Sequence, residues 1–382
     1  MKVARGSLLL AGLALGPSAV APVACVRLTD TPPVEKGSVQ LRPVVGTGLV
    51  GGLQIDAGLR AAAEELIGAA TRADARLEPG AVRLALARAG YPRAAHFLHA
   101  RSADGSIPTA LLDAIPKSSG VDVGWASRPD GTGGQVWIVG WALQVGAMDP
   151  LPRDVVLDRG VPLRVDGFTS PRLYVGSPDG RAQELGITDG VARWLDLFHL
   201  PGEYRVEVVE HDRVAFLFSL FVEAEPAASG PLPGAAGLSD PLHVAAHLAA
   251  RVNELRVQTG LRALTPFSRF ELQTRAQATC LASLGVVAHK TPGCPGVPAM
   301  TAAEYYPQAR HHEDVVAADT AEDAWEWLYD SPGHRMNLLC STCTHLTVGS
   351  AVENTDPARV FAVIEVMEFP QGEPVPIIRG RR

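Results

Sequence analysis

Apolar residues recur at helical spacing in the first part of this chain, and alternating stretches follow them. The spacing predicts three helices, one within residues 53–71 and the others at residues 79–89 and 109–115. Asp56 stands where its side chain can cap the first helix, and Gly90 ends the second. Residues 121–126 and 135–141 then alternate between apolar and small or polar positions around a Pro-Asp-Gly-Thr turn, which predicts a β-hairpin.

Residues 151–224 follow another pattern, in which short β-type stretches are separated by Gly, Pro and Asp turns. Five strands are predicted, at residues 153–157, 162–165, 173–175, 204–209 and 214–222. This spacing is typical of a small antiparallel sandwich, and residues 201–208 resemble the entry to a late strand of an immunoglobulin-like sandwich. We interpret the region as a spacer or binding module without catalytic groups.

Helical spacing returns near the C-terminus and predicts helices at residues 241–259, 268–284 and 321–330. Thr320 is placed to cap the third of these helices. Pro332 and Gly333 are expected to end it, so that His334 lies in a tight turn. Residues 346–351 and 360–367 predict a closing β-hairpin.

The 382 residues are too many for one ordinary core, so we expect an α+β chain of several domains. The predicted parts are a signal peptide (1–24), a linker (25–50), a helical α+β domain (51–147), a β-sandwich (148–225), a second linker (226–240), a C-terminal domain (241–369) and a tail (370–382). The first and last domains both end in a hairpin that opens Val-Gly-x-Ala, at residues 123–126 and 348–351. The hypothesis is that residues 51–147 are a degenerate copy of the C-terminal domain, with chance similarity as the alternative.

Composition and charge narrow the class of protein. Hydrophobic residues make up 47% of the chain and charged residues 20%, as in a globular protein. Lys2 and Arg5 precede an apolar run and small residues, which is the pattern of a signal peptide. Removing residues 1–24 takes the net charge from −7 to −9, and an acidic protein is a poor partner for nucleic acid.

Five cysteines support an exported protein. Cys25 follows the signal segment and is a candidate lipid anchor, with ordinary signal cleavage as the alternative. The other four allow three disulfide connectivities, of which the favoured one pairs Cys280 with Cys294 and Cys340 with Cys343. A four-thiolate zinc site is the alternative, although export favours oxidation.

One motif in the C-terminal domain is specific. Residues 331–339 read Ser-Pro-Gly-His-Arg-Met-Asn-Leu-Leu, after Asn-Glu-Leu-Arg at 253–256 and Gly-Leu-Arg-Ala-Leu at 260–264. Together they resemble the bacterial form of the CAP superfamily, also called the SCP fold, over residues 241–369. The resemblance implies an α-β-α sandwich. The chain departs from the family where His312-Glu313-Asp314 stands in place of the usual Gly-Glu-Asn.

The resemblance also implies a shallow cleft lined by His289, Glu313 and His334, which can hold a divalent metal such as zinc. The fourth acid of the family has no clear counterpart, and Asp330 and Glu326 are the candidates. The alternative is that these polar groups only satisfy one another inside the fold.

Several other histidines and one serine have either a functional or a structural interpretation. His243 and His247 have the spacing of a zinc-protease helix, but Val244 stands where the general base is needed. Ser331 is interpreted as a residue that bonds the end of a helix. His311 and His312 are neighbours, so at most one of them is expected to point inward.

The sequence therefore predicts an exported binding protein, placed in the periplasm, in the cell envelope or outside the cell. Its expected partner is a small molecule, a lipid or a cell-envelope polymer, and a lipidated Cys25 would associate it with a membrane. A second hypothesis is a metal-dependent hydrolase of peptide or cell-wall material, in which Glu313 activates a metal-bound water. A third is a structural or adhesion module whose cleft is inert.

Overall fold

The structure is a computed structural model that describes residues 48–50, 53–69, 77–117, 120–149, 151, 154–156, 162–188, 190–192, 197–210, 213–226, 240–296, 309–353 and 359–369. They belong to one compact unit that spans residues 38–382. The predicted signal peptide, Cys25, the tail and nearly all of the second linker lie outside the described residues. No helix among the described residues is long and apolar enough to cross a membrane.

The N-terminal part contains β1 (Gly48–Val50), β2 (Leu53–Ile55), α1 (Ala57–Ala69), α2 (Pro79–Ala89), β3 (His96–Ser102), α3 (Thr109–Asp113), β4 (Val121–Pro129) and β5 (Gln135–Leu143). Helix α1 begins where Oδ1 of Asp56 accepts the N–H groups of Gly58 at 2.7 Å and Leu59 at 2.9 Å, which is the predicted cap. The helix starts where the cap predicted it, and the residues before the cap form β2. Likewise, the segment predicted as a linker up to residue 50 ends in β1.

The central part contains β6 (Ala147–Met148), β7 (Asp154–Val155), β8 (Leu163–Asp166), β9 (Pro171–Gly176), β10 (Ala182–Leu185), β11 (Ile187–Thr188), β12 (Val191–Ala192), β13 (Gly202–Glu210) and β14 (Arg213–Val222). Two sheets form, in the orders β10-β9-β13-β14-β7 and β11-β12-β8-β6. One apolar cluster lies between them and takes in Leu163, Leu173, Phe216 and Leu220, each fully buried. The strand pairs of these two sheets are antiparallel except that of β7 with β14, which is parallel. That this segment is an immunoglobulin-like sandwich stays a prediction.

The C-terminal part contains α4 (Pro241–Gln258), β15 (Thr265–Pro266), α5 (Glu271–Leu284), β16 (Arg310–Ala318), α6 (Ala321–Asp330), α7 (Pro332–Leu338), β17 (His345–Val352) and β18 (Val360–Glu368). Its sheet has the order β15-β17-β18-β16. One face packs on α4 and α6 through a cluster that includes Val348 and Ile364. The other packs on α5 through Leu281 and Phe361. Helices thus cover both faces of the sheet.

The N-terminal and C-terminal sheets share one topology. In the first, β2 runs parallel to β4, and β4, β5 and β3 follow in antiparallel pairs. In the second sheet, β15 runs parallel to β17. Strand β17 then pairs antiparallel with β18, and β18 pairs antiparallel with β16. Gly124 of β4 and Gly349 of β17 each let a helix approach, because a Cβ would overlap the backbone of α1 or α5. That residues 51–147 are a copy of the C-terminal domain stays a prediction.

The expectation of a mixed α+β chain is confirmed. The domain boundaries stay predictions, since the described residues belong to one compact unit. Trp327 shows how closely the parts are joined, because it packs against both the C-terminal cluster and the cluster beneath α1 and α2.

The Gly349→Ala variant should test the helix–sheet contact. The added methyl group would overlap the backbone of Thr274 and Arg275, so we expect a loss of about 1–3 kcal/mol in the free energy of unfolding. Gly68→Ala is the control, because a Cβ there meets nothing within 4 Å and alanine suits a helix better than glycine. Equal thermal stability of the two variants would contradict the proposed role of Gly349.

Candidate functional site

His334 lies in the first turn of a helix, not in the tight turn that was predicted. Helix α6 ends at Asp330, and α7 begins at Pro332, where a proline is tolerated because its missing N–H has no helical acceptor. Ser331 caps α7, since its Oγ accepts the N–H of His334 at 3.2 Å. The interpretation of Ser331 as a helix-end residue is confirmed. The sequence prediction took Pro332 and Gly333 only as the end of α6. They are also the first two residues of α7.

The central sandwich holds this capping serine in place. Glu207 of β13 is buried, and it accepts the Ser331 hydroxyl at 2.8 and 3.0 Å and the Gly333 N–H at 2.7 Å. Burial raises the pKa of Glu207, and the hydrogen bonds from Gly333 and Ser331 oppose that rise. The sandwich was interpreted as a spacer or binding module, and Glu207 was missed. The sequence marked Glu207 only as an acidic residue among the apolar residues of a predicted strand.

Asp330 does not belong to the histidine cleft. Its Oδ2 accepts Nη2 of Arg205 from the sandwich at 2.5 Å, and its Oδ1 accepts Nη1 of Arg83 from α2 at 3.2 Å. The other candidate acid, Glu326, lines a cavity of about 310 Å³ between α2, α4 and α6, together with Arg83, Trp325 and Tyr329. Neither residue therefore takes the place of the fourth acid that was sought.

His289 and Glu313 are brought together as the sequence suggested. Nδ1 of His289 lies 2.8 Å from Oε1 of Glu313. The His289 side chain is 42% exposed, whereas that of Glu313 is 6% exposed. The disulfide between Cys280 and Cys294, with Cα atoms 5.5 Å apart, closes the loop that carries His289. The carboxylate thus fixes one ring nitrogen of a half-exposed imidazole.

Glu365 is the carboxyl group that faces Glu313. It was not among the site residues predicted from the sequence. The two residues are direct cross-strand partners in β18 and β16, and Glu365 is fully buried. Burial, with the nearby charge of Glu313 in second place, raises the pKa of Glu365 well above its usual range, so this carboxyl is held neutral. Nδ1 of His311 lies 3.5 Å from Oε2 of Glu365. A glutamate in the middle of an apolar strand was the signal that could have revealed it.

Strand alternation separates the two neighbouring histidines. His311 lies by Glu365, and burial lowers its pKa to about 4 with a smaller contribution from His312. His312 lies on the other face, by the second disulfide, Cys340–Cys343, whose Cα atoms are 5.4 Å apart. The expectation that the pair would diverge is therefore met. Both predicted disulfide pairings are confirmed, and the four-thiolate zinc alternative is not formed.

His334 is close enough to His289 for the two rings to interact electrostatically. Burial, with a smaller contribution from His289, lowers the pKa of His334 to about 4, so the ring is neutral at neutral pH. Nδ1 of His334 is buried and has no hydrogen-bond partner within the described part of the chain. Buried polar atoms are normally paired, so this nitrogen is a candidate for contact with a ligand.

The predicted triad is not a tightly assembled metal site. Among the described residues, the three-residue group whose ligand atoms all lie within 4.8 Å of one another is His312, Cys340 and Cys343. The other histidine pair is excluded as a zinc-protease site, because His247 bonds Glu322 at 2.7 Å and the exposed His243 pairs with Asp240 at 2.8 Å.

The chain matches no protein-family model and no curated protein. Solved structures give matches with low scores. An extracellular protein with a SCP domain from Bacillus anthracis has 15% identity and a TM-score of 0.29, covering 64% of this chain and 67% of that one. A cysteine-rich secretory protein from Staphylococcus aureus has 12% identity and a TM-score of 0.25, covering 68% and 89%. An outer surface protein from Borrelia burgdorferi has 18% identity and a TM-score of 0.26, covering 31% and 88%.

The Bacillus protein bears the SCP name of the superfamily that the motifs resemble. Likeness at this level assigns neither a fold nor a function to this chain. Membership of the CAP superfamily therefore stays a prediction from the motif at residues 331–339.

The Glu207→Gln variant should loosen the start of α7. The amide puts an NH₂ group in place of one carboxylate oxygen beside the Ser331 hydroxyl, and its remaining oxygen carries no charge to strengthen the bonds from Ser331 and Gly333, so we expect a loss of about 1–3 kcal/mol in the free energy of unfolding. The His334 ring resonances should shift in NMR spectra. Glu210→Gln is a matched control on the same strand, since Glu210 also accepts several hydrogen bonds but at an exposed turn. Unchanged His334 resonances in Glu207→Gln would refute the role of Glu207.

The Asp314→Asn variant should change how stability depends on pH. Burial raises the pKa of Asp314 to about 8 from 3.8, so the folded state holds this proton more tightly than the unfolded state does. Stability contributed by the neutral form is thus present at low pH and is lost as pH rises from about 4 to about 8. The stability of the variant relative to wild type should increase over that range and then level off.

Denaturant unfolding at a series of pH values measures this difference. Asp319→Asn, at an exposed residue just beyond the same strand, serves as the control and should show no such trend. A constant difference between Asp314→Asn and wild type would show that Asp314 is ionised in the folded state.

Proposed function

We propose that this protein is an exported binding protein whose cleft takes a divalent metal ion such as zinc, held by the imidazoles of His289 and His334. The observation that carries the proposal is the 2.8 Å contact between Nδ1 of His289 and Oε1 of Glu313. A histidine that ligates a metal commonly donates its second N–H to a carboxylate, which fixes the ring and makes it a better ligand.

The donor set suits zinc. Neutral imidazole is the form that binds zinc, and the pKa of His334, lowered to about 4, keeps that ring neutral under ordinary conditions. The buried Nδ1 of His334 has no hydrogen-bond partner within the described part of the chain and can serve as a ligand atom. A zinc ion held by the two imidazoles, with Glu313 orienting the His289 ring, has coordination positions left for a small molecule, a lipid headgroup or a group of a cell-envelope polymer.

The competing proposal is a metal-dependent hydrolase of peptide or cell-wall material. Glu313 is the acid that such an enzyme would use to activate a water. Its Oε1 already accepts from His289, an arrangement that orients an imidazole rather than a water molecule. Binding is therefore favoured over hydrolysis, and an inert structural module is the outcome if no ligand is found.

Export and lipid anchoring at Cys25 belong to the same proposal and rest on residues 1–25. The two disulfides support an oxidising compartment. The intact mass of membrane-extracted protein, compared with that of Cys25→Ser, would distinguish acylation from ordinary cleavage.

Calorimetric titration of the oxidised full chain with zinc tests the cleft. We expect saturable binding near one equivalent, and a loss of at least ~10-fold in affinity in His334→Ala because a direct ligand is removed. Glu313→Gln should weaken binding by ~10–100-fold, since the amide holds His289 less well.

His243→Ala is the matched control, because His243 is exposed on α4 and pairs with Asp240 away from the cleft. The zinc affinity of His243→Ala should equal that of the wild type. A wild-type protein that shows no saturable binding would remove the metal proposal, as would His334→Ala that binds as tightly as the wild type.

A further inference from the structure

A second group of metal-ligating side chains lies on the opposite face of β16 from Glu313. It comprises His312 of β16 and the two cysteines of the loop after α7, Cys340 and Cys343. Their potential ligand atoms all lie within 4.8 Å of one another. Cys343 is 5% exposed, whereas Cys340 and His312 are partly exposed, so an ion could enter from the Cys340 side.

The shape of this loop does not depend on its disulfide. Arg256 of α4 is 1% exposed and donates Nη1 to the carbonyl oxygens of Leu338 at 2.7 Å and Cys340 at 3.0 Å. Its Nη2 donates to the carbonyl oxygen of Cys343 at 3.5 Å. The N–H of Thr344 then bonds the sheet at Met367 at 2.9 Å. A buried guanidinium that binds three carbonyls therefore holds both cysteine backbones whether the sulfurs are joined or not.

A disulfide across so short a loop is also a weak structural staple. Only three positions separate Cys340 from Cys343, and the entropy removed from the unfolded chain grows with the size of the closed loop. The Cys280–Cys294 bridge, with a separation of 14, constrains far more chain. The Cys-x-x-Cys pair is thus better suited to changing its oxidation state than to stabilising the fold.

We propose that Cys340, Cys343 and His312 form a redox-gated site for a thiophilic metal ion such as Zn²⁺. A dithiol reductant passes two electrons and two protons to the disulfide, so that two thiols form here and the reductant becomes a disulfide. A divalent ion then displaces both thiol protons to solvent and binds two thiolates and one imidazole. Two thiolates and an imidazole are soft and borderline ligands that select zinc, and they leave one position open.

The required movement is small. In a tetrahedral zinc site with Zn–S bonds of about 2.3 Å, neighbouring ligand atoms lie about 3.5–3.8 Å apart. The three ligand atoms already lie within 4.8 Å of one another, so once reduction lets the two bonded sulfurs move apart, side-chain rotation can bring the three to this spacing. This site has no residue in common with the proposed cleft of His289, Glu313 and His334.

Cobalt titration of the full chain tests the proposal, because thiolate–cobalt charge-transfer absorption appears only when sulfur binds the ion. The protein is reduced with a dithiol, freed of it under anaerobic conditions, and titrated with Co²⁺. Reduced wild type should give this absorption with one equivalent, and oxidised wild type should not. His312→Gln should weaken cobalt binding by ~10-fold and shift the absorption.

Two cysteine variants form a matched pair. Cys280→Ser with Cys294→Ser should keep the absorption, and Cys340→Ser with Cys343→Ser should lose it. His334→Ala should also keep it, so failure here and failure of the proposed cleft can be told apart. The proposal is overturned if reduced wild type gives no thiolate absorption, or if the absorption is unchanged in Cys340→Ser with Cys343→Ser or in His312→Gln.

A measurement on wild type alone covers the case in which a variant does not fold. Zinc added to the reduced protein should protect Cys340 and Cys343 from alkylation, while Cys280 and Cys294 stay reactive, as peptide mass spectrometry would show. Equal alkylation of all four cysteines with zinc present would also overturn the proposal.

Discussion

The buried ion pairs of Asp330 tie together three parts of the chain. Asp330 is the last residue of α6, where the negative end of the helix dipole disfavours an acid. Its position is held instead by Arg205 at 2.5 Å and Arg83 at 3.2 Å, from the central sandwich and from α2. Burying a charge costs several kcal/mol unless a partner offsets it, and removing one partner leaves the other uncompensated. The two ion pairs at this junction therefore favour this mutual arrangement of the three parts.

The junction sets the position of His334 because so little chain separates them. Asp330 fixes the end of α6, Ser331 is the only residue between the two helices, and Glu207 binds both Ser331 and Gly333 at the start of α7. His334 follows at once, with its N–H on the Ser331 hydroxyl. A strand of the sandwich thus orients one side of the cleft through a chain of hydrogen bonds. The central region is a structural part of the site and not merely a spacer.

Local signals allowed the elements and part of the cleft to be predicted from the sequence. The caps at Asp56 and Thr320 and the stop at Gly90 were predicted because each acts on residues next to it in the chain. The contact between His289 and Glu313 was suggested by family resemblance. Glu207 was not predicted, because its partners lie more than a hundred positions away and nothing local marks it. Asp330 was considered as a candidate acid of the cleft because its two arginines are likewise remote in sequence and nothing local marks them.

Side chains alternate between the two faces of β16, so its consecutive polar residues lie in two different environments. On β16, His311 and Glu313 point to the face that packs under α5, where Glu313 meets Glu365. His312 and Asp314 point to the other face, where Asp314 accepts Nδ2 of Asn337 at 2.7 Å and His312 lies by the second disulfide. Four consecutive polar residues would be costly inside one apolar core. Divided between two faces at the edge of the sheet, they provide one side of each proposed metal site, so a one-residue slip of β16 would dismantle both at once.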